Sequence, residues 1–241
     1  MEKRAITENQ IHEWDCIDVM ASMPNKSIDL ILTDPPYQFK MKSTQGGGVM
    51  SPDKRKTLEK IEENFWLFFD PIAFLEQSQR VLKCMNMYIF TNKHLLKTYI
   101  EFAEKNGYSW DILLWKKTNP IPLSNNHYFL DKEYIFFMRE KGAFFNSSLS
   151  MDNYFTIQET SIGSNNDYDH PTQKPIQLIL NKILVSSKRW QIILDPYWWT
   201  GTTAVGCIEL ERKFIIIEKN PVYVEIIRKR IQSTTPPLFT I

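Results

Sequence analysis

Cysteine and glycine are scarce in this sequence, with three and eight residues among 241. Cys16, Cys84 and Cys207 lie far apart and show no Cys-x-x-Cys or Cys/His spacing. That pattern excludes a disulfide framework and a structural zinc site, and it suits reduced thiols in a cytoplasmic protein. His12, His94, His127 and His170 have no metal-ligand spacing either, so no metal is expected. An excess of charge is also missing. The net charge of +1 provides no strong overall field for nucleic acid, and any such site has to come from local basic clusters. No apolar run approaches the length that spans a bilayer, and Met1-Glu2-Lys3-Arg4 leads into polar residues rather than a signal-peptide core. Neither membrane insertion nor export is expected. With no internal repeat and no clear linker, residues 1–241 read as one domain.

Hydrophobic content is 43% and charged content 24%, ordinary for a globular chain able to bury a substantial core. The aromatic share of 13%, with seven Trp, is high, as a core, an interface or a base-stacking site requires. Apolar or branched runs suggest strands at 9–15, 28–32, Asn86 to Thr91, Asp111 to Trp115, Lys132 to Met138, Gln191 to Asp195 and Phe214 to Glu218. Helical spacing falls between them at Cys16 to Met23, Asp70 to Leu82, His94 to Asn106, Ile176 to Leu184, Gly201 to about Leu210, and Pro221 to Ile231. Such alternation predicts a doubly wound α/β domain with a mainly parallel sheet. Two stretches, about 38–64 and 144–169, read as irregular loops; the first holds Gly46-Gly47-Gly48 and Lys40, Lys42, Lys54 and Arg55.

The run Ile28-Asp29-Leu30-Ile31-Leu32-Thr33 ends at Asp34-Pro35-Pro36-Tyr37. Prolines cannot donate to a sheet ladder, so a carboxylate, two carbonyls and a ring are held rigidly at the carboxyl end of a strand. In an open α/β sheet, ligands bind there. A carboxylate and a carbonyl together suit a donor with two hydrogens, such as an exocyclic amine, and a tyrosine offers a stacking face. A second acidic tip follows at Ile192-Ile193-Leu194-Asp195, where Pro196-Tyr197 and a turn lead into Gly201-Thr202-Thr203 at a helix start. The next strand, Phe214-Ile215-Ile216-Ile217, ends in Glu218, the usual position of a partner for ribose hydroxyls. A nucleoside cofactor with a charged tail is the implied ligand.

In this order the motifs resemble the β group of S-adenosylmethionine-dependent DNA amino-methyltransferases, across about Asp15 to Arg230. Asp34 to Tyr37 resembles that family's catalytic motif. His170-Pro171-Thr172-Gln173-Lys174-Pro175 and Asp195 to Thr203 resemble its cofactor segments, and Trp115-Lys116-Lys117, Asn119-Pro120 and Glu133 its middle motifs. The resemblance implies a seven-stranded mixed sheet and methyl transfer to the N6 amine of a flipped-out adenine in double-stranded DNA. It further implies that Asp34 and the Pro35 carbonyl accept the amine hydrogens, within the turn that Pro36 completes, while Tyr37 stacks on the base. Asp195 would hold the cofactor's amino group, and Lys174, Thr202 and Thr203 its carboxylate. Glu218 would take the ribose hydroxyls and Asp15 the adenine, with Tyr197 and Gly201 shaping the pocket. Lys40, Lys42, Lys54, Arg55, Lys116 and Lys117 are the candidate phosphate contacts. A homodimer and a cognate restriction endonuclease are the implied protein partners.

Three positions depart from the family's turn, which usually reads Asp-Pro-Phe-x-Gly-Ser-Gly-Thr-Thr: Tyr197 replaces Phe, Thr200 replaces Ser, and Trp199 stands at the first glycine. Either the turn rearranges around the indole, or cofactor binding is weakened and the chain is a silent DNA-binding homologue. The retained Asp195, Gly201, Thr202 and Glu218 favour binding. N4 methylation of cytosine is the other open activity.

Overall fold

The computed structural model describes residues 6–36, 69–120, 128–162, 174–197 and 201–234. In chain order the elements are β1 (Gln10–His12), α1 (Cys16–Ser22), β2 (Leu30–Thr33), α2 (Pro71–Val81), β3 (Asn86–Thr91), α3 (Lys93–Lys105), β4 (Ser109–Lys117), β5 (Lys132–Arg139), a 3₁₀ turn (Met151–Tyr154), β6 (Ile157–Thr160), α4 (Ile176–Ser186), β7 (Ile192–Asp195), α5 (Thr202–Glu209), β8 (Lys213–Ile217) and α6 (Pro221–Ser233).

Helix starts follow side-chain chemistry. Asp70 accepts from the amides of Ile72 and Ala73 ahead of Pro71, and Asn92 accepts from those of His94 and Leu95. The strands form one sheet in the order β1-β8-β7-β2-β3-β5-β4-β6, in which only the pairings of β5 with β3 and β4 are antiparallel. Period-two alternation sends Ile31, Met87, Ile89, Leu194, Ile215 and Ile217 into a core beneath α1, α2 and α3. The intervening Leu30, Leu32, Tyr88, Phe90, Ile193 and Ile216 enter a second core beneath α4, α5 and α6. The doubly wound, mainly parallel architecture is thus present.

The described residues hold eight strands rather than seven. The extra one, β6, falls in the stretch 144–169 that reads as irregular. Ile-Gln-Glu-Thr carries too little apolar character to announce a strand; it exists because Leu114 to Lys117 of β4 offers it a parallel edge.

Chain direction matters most for function. From β2 the chain crosses to β3, and from β7 it crosses to β8, moving oppositely across the sheet while β2 and β7 are neighbours. Their carboxyl ends therefore flank a topological switch point, where such sheets bind ligands. Among the described residues no helix is long and apolar enough to cross a membrane.

Candidate active site

Both acidic tips reach the switch point. Pairing of Leu30 with Ile193 and of Ile31 with Leu194 aligns β2 and β7, so Asp34 and Asp195 end neighbouring strands. Asp195 is only 2% exposed and accepts from the Thr203 hydroxyl at 2.8 Å and the Tyr197 amide at 3.3 Å. Burial pushes its carboxyl up to about 8 against those hydrogen bonds, with the negative charge of Asp34 adding to the effect. Thr203 reaches Asp195 because Gly201 turns the chain at φ 92°, a left-handed conformation that glycine adopts without a Cβ clash, and starts α5 there. Close packing holds that helix: a Cβ on Gly206 would lie 3.1 Å from Ile183 Cδ1 of α4.

Asp34 lies at one end of a chain of charges. Its Oδ2 is 2.7 Å from Lys174 Nζ, which is 3.0 Å from Glu133 Oε2, while Glu133 Oε1 is 2.7 Å from Lys117 Nζ. Lys174 is 8% exposed at its side chain and its ammonium lies 5.3 Å from the Phe90 ring centre. Burial opposes the charge on Lys174, but Asp34 and Glu133 outweigh it and hold the amine above its ordinary range. Burial likewise raises Glu133, and the two lysines overcome this to keep it below the usual carboxylate range. Three elements converge here: the end of β4, the start of the reversed β5, and the approach to α4.

Beside the tips opens a cavity of about 360 Å³, with Trp14, Asp15, Pro36, Phe69, Tyr197 and Glu218 in its wall. That volume falls in the range of small-molecule sites. Tyr197 is fixed edge-on against Phe69 and Phe74, with ring centres 5.3 and 5.5 Å away. Cys16 also lines the wall; burial pushes its thiol up to about 12, which keeps it unreactive. Glu218 follows β8, is 6% exposed and accepts from the Asn220 amide at 2.7 Å. Burial pushes it up to about 8. Aromatic and proline walls with a buried carboxyl at one end suit a flat heterocycle carrying hydroxyls.

The sequence-predicted residues separate into groups. Asp34, Asp195, Thr203 and Lys174 gather at the tips, while Pro36, Tyr197, Glu218 and Asp15 border the cavity. Asp15 also caps α1, accepting from the Ile17 amide at 3.0 Å, and its other oxygen is 3.7 Å from Lys219 Nζ. The Thr202 hydroxyl accepts from the buried Arg230 guanidinium at 3.3 Å. Lys116 is half-exposed and paired with Glu159 at 3.0 Å. Lys117 differs from its expected place on a phosphate-binding surface: it turns inward to Glu133, and a cation held in a largely buried pair has little left for a phosphate. Tyr37, Lys40, Lys42, Lys54, Arg55 and Trp199 lie outside the described residues. The sequence placed Glu133 among the family's middle motifs without a specific role, and it did not single out Trp14 or Phe69 as site residues. The usable signal was a lone carboxylate opening the apolar run Glu133-Tyr134-Ile135-Phe136-Phe137.

Comparison with known proteins bears on the same region. Type II methyltransferase M2.MboI of Moraxella bovis is 26% identical over 243 residues, covering 95% of this chain and 89% of its own. Type II methyltransferase M.HinfI of Haemophilus influenzae is 28% identical over 256 residues, covering 95% and 69%. Among solved structures, the SAM complex of M1.HpyAVI superposes with a TM-score of 0.64 at 26% identity, over 92% of this chain and 98% of that one. The cytosine-N4-specific PvuII DNA methyltransferase shares the fold with a TM-score of 0.72, at 14% identity over 98% and 90%. The family model of the N6/N4 DNA methylases matches residues 28–229, from the strand that carries Asp34 to the last helix. This chain belongs to the N6/N4 DNA methylase family.

Proposed function

We propose that the protein transfers a methyl group from S-adenosylmethionine to the N6 amine of an adenine turned out of double-stranded DNA. The observation that carries this reading is Asp34, ion-paired and followed by two prolines, at a switch-point tip beside Asp195. The SAM complex of M1.HpyAVI supports the cofactor and the Type II relatives support methyl transfer, while the choice of adenine rests on the resemblance of Asp34-Pro35-Pro36-Tyr37 to the N6-adenine motif.

The residues present fit the cofactor. Glu218 would take the ribose hydroxyls, Trp14, Phe69 and Tyr197 would enclose the heterocycle, and Asp195 would hold the amino group, with Thr202 and Thr203 beside the carboxylate. Asp15 would meet the adenine edge at the rim. When bound, S-adenosylmethionine supplies a methyl group on a positively charged sulfur.

An exocyclic amine is a weak nucleophile because its lone pair is shared with the ring. Asp34 and the Pro35 carbonyl accept the two amine hydrogens, which raises electron density on nitrogen and fixes its direction. Tyr37 stacks on the base. The chain's contribution is positioning and electrostatics. A base inside a duplex cannot reach this tip, so extrusion is required, at a cost of a few kcal/mol. Lys40, Lys42, Lys54, Arg55 and Lys116 are assigned to phosphate contacts, and a cognate restriction endonuclease is the proposed functional partner.

The test is incubation of duplex DNA with methyl-labelled cofactor, followed by digestion to nucleosides. Label in N6-methyladenine is expected; label in N4-methylcytosine replaces the adenine reading with the cytosine one. An absence of label together with no calorimetric binding of the cofactor identifies a silent homologue. Asp34→Ala should lower kcat about 100- to 1,000-fold, with cofactor Kd within about threefold of wild type; an unimpaired mutant removes Asp34 from the chemistry.

A further inference from the structure

Lys174 faces two carboxylates, and only one of them belongs to the proposed chemistry. Its Nζ is 2.7 Å from Asp34 Oδ2 and 3.0 Å from Glu133 Oε2. Glu133 in turn divides its oxygens, giving Oε1 to Lys117 at 2.7 Å. The side chains of Glu133 and Lys117 are 19% and 14% exposed, so little solvent screens the set. Other ionisable groups also face it: Asp195 on β7 and Tyr99 on α3 both sense the charge of Asp34.

These contacts create a problem that Glu133 solves. Asp34 sits on the tip beside the buried Asp195, and the Lys174 ammonium at 2.7 Å balances the charge of Asp34. A cation bound to Asp34 alone would occupy the lone pairs that must accept amine hydrogens. A second carboxylate drawing on the same ammonium keeps Asp34 oriented without engaging it fully. Lys117 balances the charge of that second carboxylate and ties it to β4.

We propose that Glu133 is a positioning residue for methyl transfer, dividing the Lys174 ammonium so that Asp34 is oriented yet remains an effective acceptor. The inference rests on Asp34 being the acceptor of the proposed reaction. Glu133 itself touches neither substrate nor cofactor. With glutamine in its place the electrostatic pull on Lys174 from that side falls away, and the ammonium turns to Asp34.

A double-mutant cycle on kcat, with a crystal structure of one variant, tests the proposal. Glu133→Gln is nearly isosteric and should fold, with kcat lowered about 10- to 100-fold and the KM for DNA and cofactor changed less than about threefold. Lys174→Met should also lower kcat. Adding Glu133→Gln to Lys174→Met should cost less than about a further twofold, because residues acting through one contact are not additive. Additive losses, or a fall confined to thermal stability with kcat per folded molecule unchanged, overturn the proposal. The structure of Glu133→Gln is readable whether or not DNA is methylated. It should show Lys174 displaced from residue 133 toward Asp34 and the Asp34 carboxylate rotated, and coordinates superposing on the wild type at both side chains reject the inference. Absence of methyl transfer by the wild-type protein counts against the proposed function and leaves this structural outcome to decide the role of Glu133.

Discussion

Asp195 and Glu218 are carboxyl groups held largely neutral at pH 7 by burial, each pushed up to about 8. Both are assigned to the cofactor, and neutrality has consequences. An ammonium arriving at Asp195 favours the ionised form, so below pH 8 binding must expel a proton. Cofactor affinity should therefore tighten about tenfold or more between pH 6 and pH 8, and Asp195→Asn should bind weakly with a flat profile. Titration calorimetry in buffers of different ionisation enthalpy measures both, and a flat wild-type profile removes Asp195 from amino-group binding. The same shifts act on folding with the opposite sense. From ordinary values of 3.8 and 4.5, the unfolded chain releases these protons first as pH rises, so their contribution to ligand-free stability declines between about pH 4 and pH 8 and then levels off. At this scale the sequence was informative. An apolar run that stops at an acid marks a strand tip, and Asp34, Asp195 and Glu218 were each legible as such. The link from Asp34 through Lys174 and Glu133 to Lys117 was not, because it depends on the β4–β5 register that sets Trp115 opposite Glu133. Nothing local in the sequence encodes that register.

Helix α4 carries an element-scale anomaly. Lys182 is 3% exposed, donates to Gln158 Oε1 at 2.7 Å and Asn181 Oδ1 at 3.0 Å, and among the described residues meets no carboxylate. Burial lowers its amine to about 7. The unfolded chain therefore holds more protons than the folded one between about pH 7 and pH 10.5, so this residue's contribution to stability improves as pH rises through that window. Lys182→Met removes the penalty and should raise Tm by a few degrees at pH 7, with a smaller gain at pH 10. Thermal melts at the two pH values decide it; an equal or negative change at pH 7 shows that the two hydrogen bonds outweigh burial. The helix itself was predictable from Ile176, Ile179, Leu180 and Ile183, whereas its reliance on the polar strand β6 through Gln158 was not. A four-residue edge strand with alternating exposure takes its order from a neighbour rather than from its own composition.

On the scale of the whole molecule, the proposed site draws on Asp15, Asp34, Glu133, Lys174, Asp195 and Glu218, which no single segment supplies. Its geometry exists only when the sheet is complete. Cofactor binding, near-ultraviolet dichroism and tryptophan fluorescence should thus be lost at the same denaturant midpoint; an early loss of binding indicates a site that opens without the sheet. The alternation of elements made the doubly wound class legible, but not the strand order, since which parallel strands become neighbours is settled by long-range packing. That order has a consequence for synthesis. The sequence β1-β8-β7-β2 sets the first strand beside the last, with Gln10 opposite Ile215 and two late strands between it and β2. Among the described residues β1 pairs only with β8, so during translation it waits until Lys213 to Ile217 has been made, and one edge of β2 waits for β7. The half that carries Asp34 emerges early and waits, and the late strands close the sheet from within rather than by adding to its rim. Folding of this kind is governed by non-local contacts and is expected to be slow, with the wall around Glu218 among the last parts to form.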